Sequence, residues 1–527
     1  MSATATQRRI SIAGFFCVMA FALIGARLTD LTLLKAKLAK PVASAPVASL
    51  GRADIVDRNG QLLARDLPVS DFYLAPAAFK NKPSAATELA AASGIGKARI
   101  ERLLASRFRH VLVARQLPPE TVARLDALKL AGLQFVPAMK RYYPLGNEAA
   151  QVIGSTDMDD NGVDGLEKGL DRRLRSMPAN QPVTLSLDMR VQYALAQEVE
   201  AAREQFSAKV AGGIVMNVNT GEILAMASLP NTGDGTGLQD PRRNHMATDD
   251  YELGSVFKIF TFTMAMQDHT TRLDEMFPIG AGYRIGKYTI HDAEHMPAML
   301  AARDILALSS NPGAAQIGLR SGPVRQHQFL GELGLLAPVH TELAEARGPM
   351  VPHDWGQIQT ATISFGHGIS VTPLSFVTAA SIVVNGGRRI VPTFLKHDAD
   401  ARGAQVISPE TSATMRGLLR YVVTNGTGKS ADVPGYDVGG KTGSAEVVEH
   451  GRYVAHKLLT SFCAVFPIDN PRYLVFVMLD EPGGAHASGV MALAGHTAAP
   501  LAGRVIARVA PILELPANIL AQDKAAP

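Results

Sequence analysis

The chain has little of what staples small secreted folds or marks nucleic-acid binders. Two cysteines, Cys17 and Cys463, and one tryptophan occur in 527 residues. Cys17 falls in a strongly apolar N-terminal stretch, so an intrachain disulfide is not expected and the fold has to stand without one. Charge is sparse in both signs: charged residues make up 19% and the formal net charge is +4. That balance gives no electrostatic footprint for nucleic acid. The N-terminal run from Ile10 to Ala26 is also short, with 17 residues that carry no charge. As a helix it reaches about 26 Å, against a hydrocarbon core of about 30 Å.

Arg8 and Arg9 precede this run, and Leu28, Leu31, Leu33 and Leu34 continue the apolar pattern past Arg27. One helix leaving a membrane has this pattern, which favours an uncleaved anchor over residues 10–27 rather than a cleaved signal peptide. The cations after the run (Arg27, Lys35, Lys37, Lys40) outnumber those before it, so charge alone does not orient the chain. Exporting the long body is easier to reconcile with the chemistry below than exporting residues 1–9. Those residues are therefore expected to be a cytoplasmic head.

What the chain does have is apolar content, 47%, over a length that suits two or three domains with real cores. Residues 40–50 read as a linker rich in Pro, Ala and Ser. Asn59-Gly60 between apolar runs signals a hairpin. Residues 84–135 alternate helical patterns with short apolar pieces, and Gln151-Val152-Ile153-Gly154 reads as a strand. The texture changes near Pro182. A strand at 183–187, a helix of about 15 residues from Met189, and strands at 211–217 and 222–227 with a turn at Asn219-Thr220-Gly221 follow. Helical patterns cover 255–268, 300–308, 325–334, 373–384 and 409–425. Strands resume at 435–441, 444–449, 459–466 and 472–479, and an amphipathic helix covers 491–509. Strands at both ends with helices between them predict an α+β domain built on an antiparallel sheet flanked by helices. The tail from Ala517 is expected to be disordered.

Ser255-Val256-Phe257-Lys258 opens the apolar run that continues to Met266. On a helix the hydroxyl and the amine share a face, and the helix N-terminus favours developing negative charge. Serine needs a base to act as a nucleophile. Lysine serves only when neutral, which asks for a fall of roughly 3 pKa units, about 4 kcal/mol. Val256, Phe257, Ile259 and Phe260 can supply the dry surroundings. Ser-x-x-Lys alone arises by chance in most long chains, so its company decides. Ser309-Ser310-Asn311 follows a helix ending at Leu308 and also reads as a helix cap before Pro312. Gly439-Gly440-Lys441-Thr442-Gly443-Ser444 lies on a strand, with glycine at Gly443 read as leaving room for a substrate chain alongside. The gaps are 54 residues from Ser255 to Ser309 and 132 from Ser309 to Lys441. The ordered set Ser-x-x-Lys, Ser-x-Asn, Lys-Thr-Gly is specific where each part is weak.

With these motifs the chain resembles a class B penicillin-binding protein, a membrane-anchored peptidoglycan D,D-transpeptidase. Asp57-Arg58-Asn59-Gly60, Arg141-Tyr142-Tyr143-Pro144, Gly165-Leu166-Glu167 and Ala227-Ser228-Leu229-Pro230 match the non-catalytic signatures of that family. Tyr251-Glu252-Leu253-Gly254-Ser255, Phe365-Gly366-His367-Gly368, Val371-Thr372-Pro373-Leu374 and Gly426-Thr427-Gly428 look like its septal, cell-division branch. The elongation branch is the nearest alternative. Ala53 and Ser444 depart mildly from the usual glycine and threonine.

The resemblance implies an N-terminal anchor in the bacterial inner membrane, a mixed α/β pedestal at 41–180, a β-lactamase-like transpeptidase domain at 183–512 lying outside the cytoplasm, and a tail at 513–527. It implies acyl transfer: Ser255 attacks the D-alanyl-D-alanine carbonyl of one stem peptide, and an amine of another stem resolves the ester. Lys258 would be the base and Ser309 a proton relay. Asn311 would orient the substrate amide and fix Lys258. Lys441 would raise the local potential so that Lys258 stays neutral. Thr442, Gly443 and Ser444 would bind substrate, and the backbone N–H groups of Ser255 and Ser444 would form the oxyanion hole. No metal or organic cofactor is implied. Implied partners are peptidoglycan stem peptides, β-lactams as covalent inhibitors, a membrane glycosyltransferase and septal division proteins.

Other readings are weaker. Val423 stands where a P-loop ending at Gly428-Lys429-Ser430 needs glycine. His291-Asp292-Ala293-Glu294-His295 does not have the zinc-protease order and reads as a surface loop. No Gly-x-Ser-x-Gly elbow surrounds Ser255. His367, between two glycines, reads as loop structure before catalysis. A carboxypeptidase or β-lactamase-like hydrolase of the same fold, and a penicillin sensor or scaffold, are the competing functions.

Overall fold

In the computed structural model, which describes residues 51–178, 180–230, 243–397, 400–449, 452–483 and 492–518 together with Met19 and Ala22, the chain first folds back on itself at Asp57. The Asp57 Oδ1 atom accepts from the backbone N–H of Asn59 and of Gln61, both at 2.8 Å. This closes the expected hairpin between β1 (Ile55–Val56) and β2 (Leu62–Leu74). β2 also pairs with β3 (Val111–Leu117) and β4 (Leu133–Tyr142), and β5 (Val183–Thr184) joins β1 in parallel. The helices Lys82–Ser93, Lys97–Leu104 and Pro119–Asp126 belong to the same part of the chain, with Leu89, Ile100, Leu104 and Leu125 packed in one cluster with Phe72, Leu74 and Val113. Apart from Met19 and Ala22, the expected head, anchor and linker lie outside the described residues. Among the described residues no helix is long and apolar enough to cross a membrane.

A second sheet carries the rest of the fold. β6 (Val210–Asn217) and β7 (Ile223–Leu229) come first. Four three-residue strands, β8 (Met276–Pro278), β9 (Tyr283–Ile285), β10 (Tyr288–Ile290) and β11 (Met299–Ala301), form two small antiparallel pairs, β9 with β10 and β8 with β11. β12 (Gly439–Glu449), β13 (Arg452–Phe466) and β14 (Tyr473–Asp480) complete an antiparallel sheet of order β12-β13-β14-β6-β7. Along β14 alternate residues go to opposite faces. Leu474, Phe476 and Met478 enter one core, and Val475 and Val477 enter the other. The second core holds Leu195 and Val199 of the Met189–Gln205 helix and Leu501, Val505 and Val509 of the Ala498–Ile512 helix. The first holds the Lys258–Gln267 and Pro373–Val384 helices. Both faces are covered, which is why the strand sequences read as near-continuous apolar runs.

Several elements depart from the sequence reading. Ala150–Ile153 is one helical turn, not a strand. Val152 and Ile153 are buried together, and an apolar run that short does not reveal its period. The helix expected from 325 begins at Asn311 and kinks at Gly322, before Pro323. Its first half buries small residues, Gly313, Ala314, Ala315 and Gly318, so no large apolar periodicity announces it. The two strands expected at 435–449 are the single β12. The disorder expected from Ala517 does not begin there: the Asn518 N–H donates to the Gly435 carbonyl at 2.8 Å.

The signature residues near the N-terminus converge on one buried ion cluster. Glu167 accepts from Arg52 Nε at 3.0 Å and from Arg141 Nε at 2.6 Å, and Arg141 also reaches Asp66 at 3.0 Å. The side chains of Arg52, Glu167 and Arg141 are 0%, 0% and 1% exposed. Around them Ile55, Leu63, Val152, Leu166 and Val183 share one continuous core with the second sheet. Removing one member of such a cluster strands the others in a dry site, at a cost of about 3–5 kcal/mol. Glu167→Gln should therefore lower the first unfolding transition of the full chain in a urea titration followed by fluorescence. Asp54→Asn, which breaks the half-exposed Asp54–Arg65 pair, should move that transition by less than about 1 kcal/mol.

Candidate active site

Ser255 lies on a 3-10 turn, Gly254–Phe257, that runs directly into the α-helix Lys258–Gln267. In a 3-10 turn residues i and i+3 eclipse one another, and the Lys258 Nζ atom is 3.0 Å from Ser255 Oγ. The helix is enclosed on all sides, with every residue from Lys258 to Ala265 buried. Phe257, Phe260, Phe376 and Phe476 pack ring against ring beneath it. Gly254 has φ of +61°, and a Cβ there would come within 2.7 Å of the Ser444 carbonyl oxygen. A Cβ on Gly366 would meet the Gly254 carbonyl oxygen at 2.0 Å. Three backbones thus stack without side chains between them and fix the turn that presents Ser255.

The Ser309–Asn311 segment supplies the far wall. Ser309 ends the Ala302–Leu308 helix in the left-handed region, with φ of 67°, and Ser310 caps the next helix by accepting the Gly313 N–H at 3.3 Å. The cap and the site coexist on one segment. Lys258 Nζ reaches the Ser309 carbonyl oxygen, Ser309 Oγ at 3.2 Å and Asn311 Oδ1 at 2.7 Å. Lys441, from β12, places its Nζ 2.9 Å from Ser309 Oγ. A hydrogen-bonded chain therefore runs Ser255–Lys258–Ser309–Lys441.

Both lysines are fully buried. Burial brings the Lys258 amine down to about 7, and the Asp292 carboxylate opposes the fall. Lys441 is pushed well below the ordinary lysine range by burial and then by repulsion from Lys258. The main cause of the Lys258 shift is thus the dry site itself. The sequence reading named both the dry surroundings and a neighbouring positive charge as causes. The drop represents on the order of 5 kcal/mol in favour of the neutral amine.

A cleft of about 390 Å³ opens between these elements, lined by Ser255, Ser309, Asn311, Thr427, Thr442 and Ser444 among others. Thr442 Oγ1 lies 2.6 Å from Thr427 Oγ1, and Ser444 Oγ accepts the Ala494 N–H at 3.1 Å. Gly443 does not face this cleft. A Cβ there would meet the Leu253 carbonyl oxygen at 2.6 Å and Ser461 Oγ at 2.5 Å. Its missing side chain makes room for the turn before Ser255, whereas the sequence reading reserved that room for substrate. Lys429 and Ser430 line the same cleft.

His367 packs at a tilt against Tyr453, with ring centroids 5.6 Å apart, and is driven down to about 4 by burial, so it is neutral near pH 7. Glu252 accepts from Tyr453 Oη at 3.0 Å and from the Gly368 N–H at 3.1 Å. Sequence reasoning assigned no role to Asp292, Thr427 or Glu252. Glu252 and Thr427 were visible only as parts of signatures, and Asp292 had no signal beyond a loop of polar residues.

Two profiles match the chain: the penicillin binding protein transpeptidase domain over residues 211–507 and the penicillin-binding protein dimerisation domain over residues 48–198. A probable peptidoglycan D,D-transpeptidase FtsI of Caulobacter vibrioides is 38% identical over 479 residues, 88% of this chain and 81% of that one. A probable peptidoglycan D,D-transpeptidase PenA of Neisseria meningitidis is 31% identical, covering 82% and 80%. The crystal structure of penicillin binding protein 3 from Mycobacterium tuberculosis in complex with aztreonam has a TM-score of 0.69 at 25% identity and covers 89% of this chain and 97% of that one. The chain belongs to the class B penicillin-binding proteins, in their septal transpeptidase branch.

A base that titrates near neutrality sets the pH dependence of any reaction that needs it neutral. Lys258 is charged below about 7 and neutral above it. The second-order rate of acylation by a fluorescent penicillin should therefore rise about tenfold from pH 6 to pH 8. Stopped-flow or gel-based labelling checks this, and Lys258→Arg, which stays charged, should remove the rise together with nearly all of the rate.

Proposed function

We propose that the chain is a septal peptidoglycan D,D-transpeptidase, and that its serine ester forms at Ser255. The observation that carries the assignment is the 3.0 Å contact between Ser255 Oγ and a fully buried Lys258 amine. A neutral amine so placed takes the hydroxyl proton as the oxygen attacks the D-alanyl carbonyl. Ser309, between the two lysines, passes a proton towards the leaving D-alanine amine. Asn311 fixes Lys258 and orients the substrate amide. Lys441, Thr442 and Ser444 receive the terminal carboxylate. The oxyanion is met by the backbone N–H groups of Ser255 and Ser444, where loss of one donor costs about 10²–10³ in rate. The amine of a second stem peptide then displaces Ser255 and closes the cross-link. Two amide-type bonds are exchanged, so no external energy source is required. β-Lactams acylate the same serine.

Residues 41–180 serve in this reading as a pedestal and 183–512 as the catalytic domain. The continuous core under Ile55, Leu166 and Val183 favours a pedestal that bears rigidly on that domain. Residues 10–27 anchor the chain in the inner membrane with the catalytic domain outside, where a glycosyltransferase and other septal proteins are its partners. A hydrolase would need a carboxylate placed to activate water against the ester; of the two carboxylates that line the cleft, Asp292 and Glu294, Asp292 is already engaged by Ser310 Oγ and the Asn311 N–H.

The test is mass spectrometry of the full chain after penicillin. A stable adduct on the peptide containing Ser255 is expected, absent in Ser255→Ala, and that variant should fail to support division in a depletion strain. Adduct release within seconds would indicate a hydrolase. Complementation by Ser255→Ala would indicate a scaffold.

A further inference from the structure

One wall of the cleft lies outside the three motifs. Gly426, Thr427, Lys429 and Ser430 line it, at the start of the connection from the Pro409–Asn425 helix to β12. Backbone bonds fasten this segment. The Thr427 N–H donates to the Ala307 carbonyl at 3.0 Å, the Gly428 N–H to the Val422 carbonyl at 3.2 Å, and the Ala431 N–H to the Gly428 carbonyl at 2.9 Å. Lys429 opens a 3-10 turn that ends at the buried Ala431. Its side chain therefore starts from a fixed point, two residues after the threonine whose hydroxyl meets Thr442 Oγ1.

The titratable side chains that line the cleft, among the described residues, are Asp292, Glu294, Lys429 and His496. Asp292 is engaged by Ser310 Oγ and the Asn311 N–H. Lys429 is exposed and, among the described residues, has no ion pair. The acid three residues on, Asp432, is taken by Arg420 at 2.6 Å. Lys441 lies behind the wall, fully buried, and burial pushes its amine well below the ordinary lysine range. A carboxylate entering the empty cleft thus meets the exposed ammonium of Lys429 before it reaches Lys441.

We propose that Lys429 is a specificity-determining residue of the cleft, which captures the terminal carboxylate of a D-alanyl stem peptide, or the carboxylate of a penicillin, and so favours acids over neutral ligands of the same shape. Thr442, Ser444 and Lys441 then receive the captured group. Lys429 acts on binding and leaves bond-making to Ser255 and Lys258. An attraction at the mouth of a cleft is screened by salt, whereas contacts inside a dry site are screened far less.

This role rests on the proposed function, and one set of measurements separates the two. The full chain and its variants are acylated by benzylpenicillin and by its neutral methyl ester, in competition with a fluorescent penicillin. Two salt concentrations are used, about 20 mM and about 500 mM, where charges are felt over about 20 Å and about 4 Å. Lys429→Met should weaken binding of the acid by about 3–10-fold at low salt and by less than about twofold at high salt. Its limiting rate at saturating penicillin should match the parent's, and so should its rate with the methyl ester. Lys429→Gln should give the same pattern, and Lys429→Arg should restore binding of the acid. Binding of the acid to folded Lys429→Met or Lys429→Gln at the parent's strength in low salt overturns the inference. So does a loss that salt does not diminish, or one that the methyl ester shares equally. A parent chain without an adduct at Ser255 overturns the proposed function instead.

Discussion

A primary amine sealed from water beside a serine is the constraint from which the rest of the structure follows. Lys258 Nζ has four oxygen neighbours: the Ser309 carbonyl, Asn311 Oδ1, Ser309 Oγ and Ser255 Oγ. Among the described residues no carboxylate touches it, so an ammonium there would be a buried charge without a direct counter-ion. A neutral amine has two N–H bonds and one lone pair. The carbonyl and the Asn311 oxygen accept only, and they take the two N–H bonds. The lone pair is then left for a hydroxyl, and Ser255 at 3.0 Å is nearer than Ser309 at 3.2 Å. The count of donors and acceptors orients the amine before any substrate arrives.

The fold maintains this arrangement by leaving nothing near it free to relax. The helix below Lys258 is packed on all sides, and its phenylalanines interlock with Phe376 and Phe476 from two further elements. Above, the Gly366, Gly254 and Ser444 backbones stack too closely for any side chain. Movement of Ser255 by an ångström would need either the helix to unpack or β12 to separate from β13. Interiors packed at native density resist both, and geometry of that tolerance is what acyl transfer demands.

How much of this was legible in the sequence follows from what each feature depends on. The sheet strands were readable because Leu474 to Leu479 are buried on both faces, which leaves an unbroken apolar run. The 3-10 turn at Ser255 kept the expected contact because i and i+3 meet in either helix type. The Asn311 helix was half hidden, since its buried face is made of glycine and alanine. Gly443 was misread because a strand glycine marks close approach without saying of what; here the neighbour is the Leu253 backbone. Asp292 was illegible. It reaches residues 18 and 19 positions later, back across β11 and the Ala302–Leu308 helix, a return that no local pattern encodes. The signature residues Arg141 and Glu167 were visible in motifs, but that they and Arg52 neutralise one another appears only when three distant segments meet.

The two lysines divide one task on the proposed function. Each is buried, a charge on Lys258 depresses Lys441, and Ser309 Oγ lies within hydrogen-bond distance of both. Lys441 Nζ also lies 2.9 Å from the Thr442 carbonyl oxygen and 3.2 Å from Thr442 Oγ1, at the end of the cleft where a terminal carboxylate would be received. An arriving carboxylate favours the charged form of Lys441. The charge so fixed repels a proton on Lys258, and the base next to Ser255 is held neutral while substrate is present. Binding energy from the non-reacting end of the stem peptide is then spent at the reacting end, which is how a remote contact raises the rate of bond-making instead of only tightening the complex. The same logic favours ligands that carry an anionic group at the spacing of the D-alanine terminus over neutral esters of equal reactivity.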